Sequence, residues 1–151
     1  MESKNMIVAE IQLTYKTSVK ASERPKIDKS QDVYLVLREH WNFEIIEFIE
    51  EFKIMLLNRA NRVLGIVNIS QGGMASTVVD PKVIFAAALK SAASSVILSH
   101  NHPSGNLTPS QADIELTKKL KRCGEILDIA VLDHLIITKE GFCSLMDEGM
   151  I

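Results

Sequence analysis

The chain is predicted to fold as an α/β domain, a mixed β-sheet flanked by helices. Short apolar runs such as Ser95 to Ser99 (SVILS) have the length and composition of buried strands. Asp80-Pro81 and Thr108-Pro109 each pair an N-cap residue with a proline suited to the first helical position. Strand and helix signals alternate along the chain, which argues for helices packed on a sheet. The 151 residues suit a single domain, with 46% hydrophobic and 24% charged residues, an ordinary globular composition.

Taken in order, Ile7 to Lys16 is weakly alternating and β-branched, and predicts a strand. Thr17 to Lys29 is a polar loop, after which Ser30 caps a short helix over Gln31 to Glu39 with Val33, Leu35 and Val36 turned inward. Residues 1–44 thus precede a motif-bearing core over about 45–151. Phe48 to Leu57 reads as a long strand, Asn58 to Asn61 as a hairpin turn, and Arg62 to Ile69 as the returning strand. Gln71-Gly72-Gly73 is a loop. The helix opened by Asp80-Pro81 runs to about Ala93, and its alanines suit close packing on a sheet. A second helix is expected from Thr108, with Gln111 completing a Thr-x-x-Gln capping box and Gly124 as the left-handed stop after Cys123. Ile126 to Thr138 supplies one or two strands, Lys139-Glu140-Gly141 a turn, and Phe142 to Leu145 the last strand.

Charge and composition exclude several classes. The net charge of −2 gives no general pull toward nucleic acid or anionic membrane, so DNA contact would need a local basic patch. Lys118-Lys119-Leu120-Lys121-Arg122 is basic, but such a run reads first as a solvated helix face. No signal peptide or membrane anchor is legible, so a cytoplasmic location is the expectation. Cys123 and Cys143 are too far apart for a thiolate zinc pair and read as small buried hydrophobes. His40 reads as a surface residue.

Chemistry concentrates at His100-Asn101-His102, which follows the buried strand. Residues i and i+2 of an extended segment point the same way, so both imidazoles can face one point. Asp113 on the next helix supplies a carboxylate, and Ser110, three residues earlier, shares its face. Two histidines and one carboxylate leave a fourth tetrahedral position open, the arrangement of a catalytic rather than a structural zinc site. A carboxylate must also take and return a proton. Glu50 is the candidate; Glu51 points to the opposite face of a regular strand, and Glu44 and Glu47 lie where the pattern is uncertain. Ser110 can equally be a plain helix-start residue, and Glu50 a solvated strand residue. Asp133 and His134 fall on opposite faces of their strand, and either can support the site or serve packing alone.

His100-Asn101-His102-Pro103-Ser104-Gly105 with Ser110-x-x-Asp113 resembles the RadC-like branch of the JAB/JAMM (MPN+) metalloprotein family. Glu50-x-Phe52, Arg62-Val63-Leu64, Ile126-Leu127-Asp128-Ile129 and Leu132-Asp133-His134 also match, from about Glu50 to the C-terminus. The resemblance implies a JAB/MPN architecture similar to that of cytidine deaminases. It implies zinc on His100, His102 and Asp113, Glu50 as general base and acid, and Ser110 as oxyanion donor. The implied activity is metallopeptidase or isopeptidase cleavage of an amide bond in a protein or peptide substrate. The alternative is a DNA-repair or mobile-element-associated protein, as a metal-dependent nuclease or a non-catalytic accessory factor. A metal-binding interaction domain without turnover is a further reading. Longer RadC-like proteins resemble fusions with an N-terminal helix-hairpin-helix module; the first fifty residues here carry no glycine-centred hairpin of that kind. A deaminase is disfavoured because Pro-Cys-x-x-Cys and His-x-Glu patterns are missing. Substrate and oligomeric state are not legible.

Overall fold

The computed structural model describes residues 4–73 and 77–151, so the part of the N-terminal reading that covers residues 1–3 lies outside the described residues. Three α-helices, α1 (Ser30–Glu39), α2 (Pro81–Lys90) and α3 (Gln111–Ile126), flank five strands among the described residues. The strands are β1 (Glu51–Leu57), β2 (Val63–Gln71), β3 (Ser95–Asn101), β4 (Ala130–Ile137) and β5 (Phe142–Ser144), in the sheet order β2-β1-β3-β4-β5. Only β3 and β4 are parallel, because α3 carries the chain between them; the other pairs are antiparallel. The α/β mixed sheet flanked by helices is the predicted class.

Strand alternation divides the core into two layers. Met55, Leu57, Ile97, Leu135 and Ile137 face α1, where Val33, Tyr34, Leu37 and Trp41 cover them. Phe52, Ile54, Leu56, Val96 and Leu98 face α2 and α3, against Ile84, Phe85, Ala88 and Leu120. The strand β3 is buried along its whole length, as expected for the centre of a sheet.

A register shift in the β3–β4 pair decides what faces the second layer. Val96 pairs with Val131, but Ile97 pairs with Asp133, so Leu132 is an extra residue. One extra residue inverts the alternation beyond it. Val131 therefore faces α2 and α3, whereas Asp133, Leu135 and Ile137 face α1 and His134 takes the opposite side. Asp133 there accepts hydrogen bonds from the Ser144 hydroxyl (2.5 Å) and the Met146 amide (3.1 Å), tying β4 to the C-terminal turn.

Several local expectations are corrected. Residues Ile7 to Lys16 form no strand and are exposed, since none of the described residues pairs with them. In α1 the buried set is Val33, Tyr34 and Leu37, while Leu35 is 51% exposed, because the i, i+1, i+4 positions share one face. Ser30 is the first helical residue rather than the cap; the Asp32 carboxylate reaches back to the Lys29 amide (3.1 Å), and the Ser30 hydroxyl donates to Asp147. The strand expected from Phe48 begins only at Glu51, and α2 stops at Lys90. Helix α3 starts at Gln111 with Ser110 as its cap, so Thr108 and Pro109 belong to the preceding loop. Cys123 and Cys143 are half-buried free thiols.

Gly124 is not the helix stop. It lies inside α3, and Asp128 takes the left-handed conformation (φ 55°) beyond the last turn. The Ile129 amide closes back on the Gly124 carbonyl (2.9 Å), and that of Asp128 on Glu125 (3.3 Å), a Schellman closure. The glycine is needed because a Cβ there would sit 2.2 Å from the Ile129 carbonyl oxygen. Alanine gains about 1 kcal/mol in helix propensity, but displacing backbone costs about 1–3 kcal/mol or more, and the clash prevails. Gly124→Ala is therefore expected to lower the thermal midpoint by roughly 2–6 °C, measured by calorimetry; an unchanged or raised midpoint contradicts the close approach.

Candidate metal centre

Residues from three elements meet at the end of β3 on the α2/α3 side. His100 is the penultimate residue of the strand and is 3% exposed. His102 follows the strand, and its amide still bonds to the Ile137 carbonyl (3.3 Å), which prolongs the extended course. The chain then turns through Gly105, whose φ of 80° suits glycine, and the Gly105 amide bonds to the His102 carbonyl (3.0 Å). This turn brings the Asn106 carbonyl to 2.6 Å from His102 Nδ1. The two Nε2 atoms lie 2.9 Å apart, so the His-x-His pair converges as the alternation predicts.

Asp113 enters from the first turn of α3. Its carboxylate oxygens lie 3.3 Å from His100 Nε2 and 3.3 Å from His102 Nε2. The same side chain completes the helix cap: Asp113 Oδ2 accepts from the Ser110 amide (2.8 Å), and Ser110 Oγ accepts from the Asp113 amide (3.0 Å). Ser110 is thus a capping residue, and its hydroxyl proton has no acceptor among the described residues. Glu50 immediately precedes β1 and is 9% exposed. One donor atom each from Glu50, His100 and His102 lie within 4.8 Å of one another, a possible metal site. All five residues singled out in the sequence therefore gather here. Glu51 does point away, to Lys53 Nζ at 3.3 Å on the α1 side.

Three residues that the motif reading left open or passed over organise the site. His100 Nδ1 lies 2.7 Å from His134 Nε2, His134 Nδ1 lies 2.6 Å from Thr117 Oγ1, and the Thr117 hydroxyl donates to the Asp113 carbonyl (2.7 Å). A carbonyl can only accept, so the Thr117 proton goes to Asp113 and the His134 Nδ1–H must donate to Thr117. His134 Nε2 is then a bare acceptor and takes the His100 Nδ1–H. This leaves the His100 Nε2 lone pair aimed into the site. His102 follows the same rule: its Nδ1–H donates to Asn106, and Nε2 carries the lone pair when the ring is neutral. Asn101, fully buried, accepts from the Glu51 amide (2.7 Å) and donates to the Ile46 and Ile49 carbonyls (2.7 and 2.9 Å), which holds the backbone around Glu50. Its strand position between the histidines was legible, but its long-range partners were not.

The electrostatics separate the two carboxylates. Burial pushes Asp113 upward, but hydrogen bonds from His100 and His102 outweigh it and hold the group far below the usual carboxylate range. Its place in the first turn of α3 favours the anion further. Burial likewise raises Glu50, and here it prevails over the lowering influence of the two histidines. The hydrogen bond to Asp113 raises His102 against the opposing effect of burial. Burial first, and the charge of His100 second, hold His134 well below its ordinary value, so it stays neutral. Two imidazole lone pairs facing each other at 2.9 Å beside an ionised carboxylate require a positive charge between them, a proton on one ring or a cation. Imidazole nitrogen with carboxylate oxygen is a donor set that zinc accepts. A cleft of about 620 Å³ opens onto the site, with Thr77, Pro103, Ser104, Thr108 and Leu116 among its walls.

Fold and site define an α/β domain with a histidine–carboxylate cluster at the mouth of its central strand. The model for the RadC-like JAB domain matches residues 27–150, and the chain belongs to that family. The match begins some twenty residues before Glu50, where the motif resemblance starts, and takes in α1. Among similar curated proteins is a UPF0758 protein of Flavobacterium johnsoniae, 45% identical over 127 residues, covering 83% of this chain and 53% of that protein. A UPF0758 protein of Clostridium botulinum (strain Eklund 17B / Type B) is 36% identical over 149 residues, 99% of this chain and 64% of its own length. A UPF0758 protein of Staphylococcus haemolyticus is 46% identical over 100 residues, 66% of this chain and 44% of its own. The chain thus spans about half to two thirds of the length of these relatives.

The relay makes Thr117 a sensitive position. Thr117→Val keeps the shape but leaves the buried His134 Nδ1–H without an acceptor, which is expected to cost about 1–3 kcal/mol in urea unfolding. In nitrogen-detected NMR the His134 proton is expected at Nδ1 in the parent and redistributed to Nε2 in the variant. An Nε2–H tautomer in the parent chain contradicts the relay.

Proposed function

We propose that the chain is a zinc-dependent hydrolase that cleaves an amide bond in a peptide or isopeptide substrate. The observation that carries this reading is the divergence of two carboxylates around one pair of imidazoles. Asp113 is held ionised against both Nε2 atoms, as a ligand must be, while burial pushes Glu50 in the other direction, above its ordinary value, which favours its holding a proton. A zinc ion held by His100, His102 and Asp113 would supply a Lewis acid, lowering the pKa of water toward about 7 and polarising a carbonyl.

The side chains of the protein then have separate tasks. Glu50 accepts a proton from water and returns it to the departing amine, which one carboxylate can do in both directions. Ser110 donates its hydroxyl proton to the oxygen on which negative charge develops; its own oxygen is already occupied by the Asp113 amide, which orients the group. His134 keeps His100 in the tautomer whose Nε2 is free. Membership of the RadC-like JAB family supports the assignment.

Chelation of the purified protein is expected to remove turnover of peptide or isopeptide probes, and zinc to restore it. Glu50→Gln should lower turnover by about 10²–10⁴-fold while zinc content, read by elemental analysis, stays at that of the parent. Retained turnover in that variant removes Glu50 from the mechanism. Nucleic-acid cleavage instead of amide cleavage in the same chelator-controlled assay overturns the substrate class.

Ser110→Ala separates the two uses of this residue. Loss of the cap is expected to cost about 1 kcal/mol of stability, and loss of the donor about 10²–10³ in kcat. A stability loss with unchanged kcat restricts Ser110 to capping.

A further inference from the structure

We infer that the groove across the candidate metal centre binds a polypeptide through acidic side chains, which Lys118, Lys119 and Arg122 of α3 hold on one side of the site. The inference rests on the hydrolase reading for the place of the cleaved bond, and it names the class of substrate.

The site cleft continues beyond its own walls. It shares Ala112 and Leu116 with a second cleft of about 490 Å³, to which Glu115, Lys118, Lys119 and Arg122 contribute the other walls. It shares His102 and Ser104 with a third of about 310 Å³, to which Glu47, Lys139 and Glu140 belong. The two neighbours meet the site cleft at different walls, so the metal centre lies between them in one groove. Helix geometry puts the basic row in line with it. Ala112, Leu116, Lys119 and Arg122 follow one another at spacings of four, three and three, and so share a face. Lys118, Lys119 and Arg122 are exposed, while Leu120 on the other side of the helix is buried.

The two ends of the groove carry opposite charge. On the α3 side three cations accompany one carboxylate, Glu115, which the Gln111 amide group meets at 3.4 Å. None of the three cations joins an ion pair among the described residues. On the far side Lys139 is taken by Glu47 (2.9 Å), and Glu140 has no ion-pair partner among the described residues. A cleft concentrates such a field on what enters it.

This gradient selects the ligand. A nucleic-acid strand carries a charge at every phosphate and, laid along the groove, would set some of them against Glu140. A polypeptide can keep its anions at one end. From Asp113 to Lys119 the helix rises about 9 Å, and to Arg122 about 14 Å. An extended peptide advances about 3.3 Å per residue. The acidic side chains therefore fall about three or four residues from the bond over the metal centre.

The test is fluorescence anisotropy with two labelled peptides of equal length, one carrying three consecutive Glu where the other carries Gln, and with an oligothymidylate of similar length. The Glu peptide is expected to bind about tenfold more tightly at low salt, the sum of two or three exposed ion pairs. The preference should fade as salt rises. Reversing the row, with Lys118→Glu, Lys119→Glu and Arg122→Glu together, should turn the preference toward a peptide carrying Lys at the same places, with zinc content kept at that of the parent. For a peptide that is cleaved, the reversal should raise KM about tenfold and leave kcat unchanged. Equal or absent binding of the Glu and Gln peptides overturns the inference whether or not any bond is cleaved. So does tighter binding of oligothymidylate that is lost on reversal, which assigns the row to nucleic acid. A preference for Glu without cleavage upholds the groove and counts against the hydrolase reading alone.

Discussion

The hydrogen bond between His100 and His134 is the contact on which the candidate site depends. It joins β3 to β4, and Thr117 extends it to the backbone of α3, so strand, strand and helix are linked by three consecutive bonds. Their direction follows from the far end, where the Asp113 carbonyl has no proton to give. The same residue therefore sets the tautomer of His100 through its backbone and faces His100 Nε2 through its side chain. Each buried group in the chain would cost about 1–3 kcal/mol if left unpaired, so the network holds as a unit or loses its meaning.

The helix cap is bound up with the chemistry. Ser110 and Asp113 exchange hydrogen bonds to open α3, and the oxygen that accepts from the Ser110 amide is also the one 3.3 Å from His102. A positive charge at the imidazoles thus competes with a backbone amide for one carboxylate oxygen, and electrostatics lets both be served because each is a donor. Glu50 is held differently, by a backbone that Asn101 clamps from below. The two carboxylates reach one point from separate supports, and their protonation preferences diverge because only Asp113 is close enough to bond both rings.

The opposite end of the sheet has a different character. Strands β2 and β5 form the two edges of the sheet, and beyond Val63 β2 has an outer backbone without hydrogen bonds from the described residues, beside an apolar groove. Met6, Ile7, Val8, Ile11 and Leu13 are exposed, and none of the described residues pairs with them.

The sequence alone determined the α/β class, the central strand that leads into His100, and the convergence of His100, His102, Ser110 and Asp113. Those features are local: strand alternation, helix capping and short spacings act over a few residues. Glu50 came from its carboxylate chemistry and family resemblance, and its distance in the chain from the histidines left its proximity to the structure. The N-caps of α1 and α3 were misread by one and two residues; for α3, Thr-Pro-Ser-Gln-x-Asp offers two overlapping capping patterns and only the Asp113 carboxylate selects between them. The strand expected at Ile7 to Lys16 was a sound pattern without a partner, since pairing is supplied by another strand and not by the segment itself. His134 shows most clearly what only the tertiary structure decided. Alternation put Asp133 and His134 on opposite faces, but which of them meets His100 depends on the extra residue Leu132, and a bulge is defined by its register against β3. Register is a relation between strands distant in sequence, and packing of the two layers chooses it.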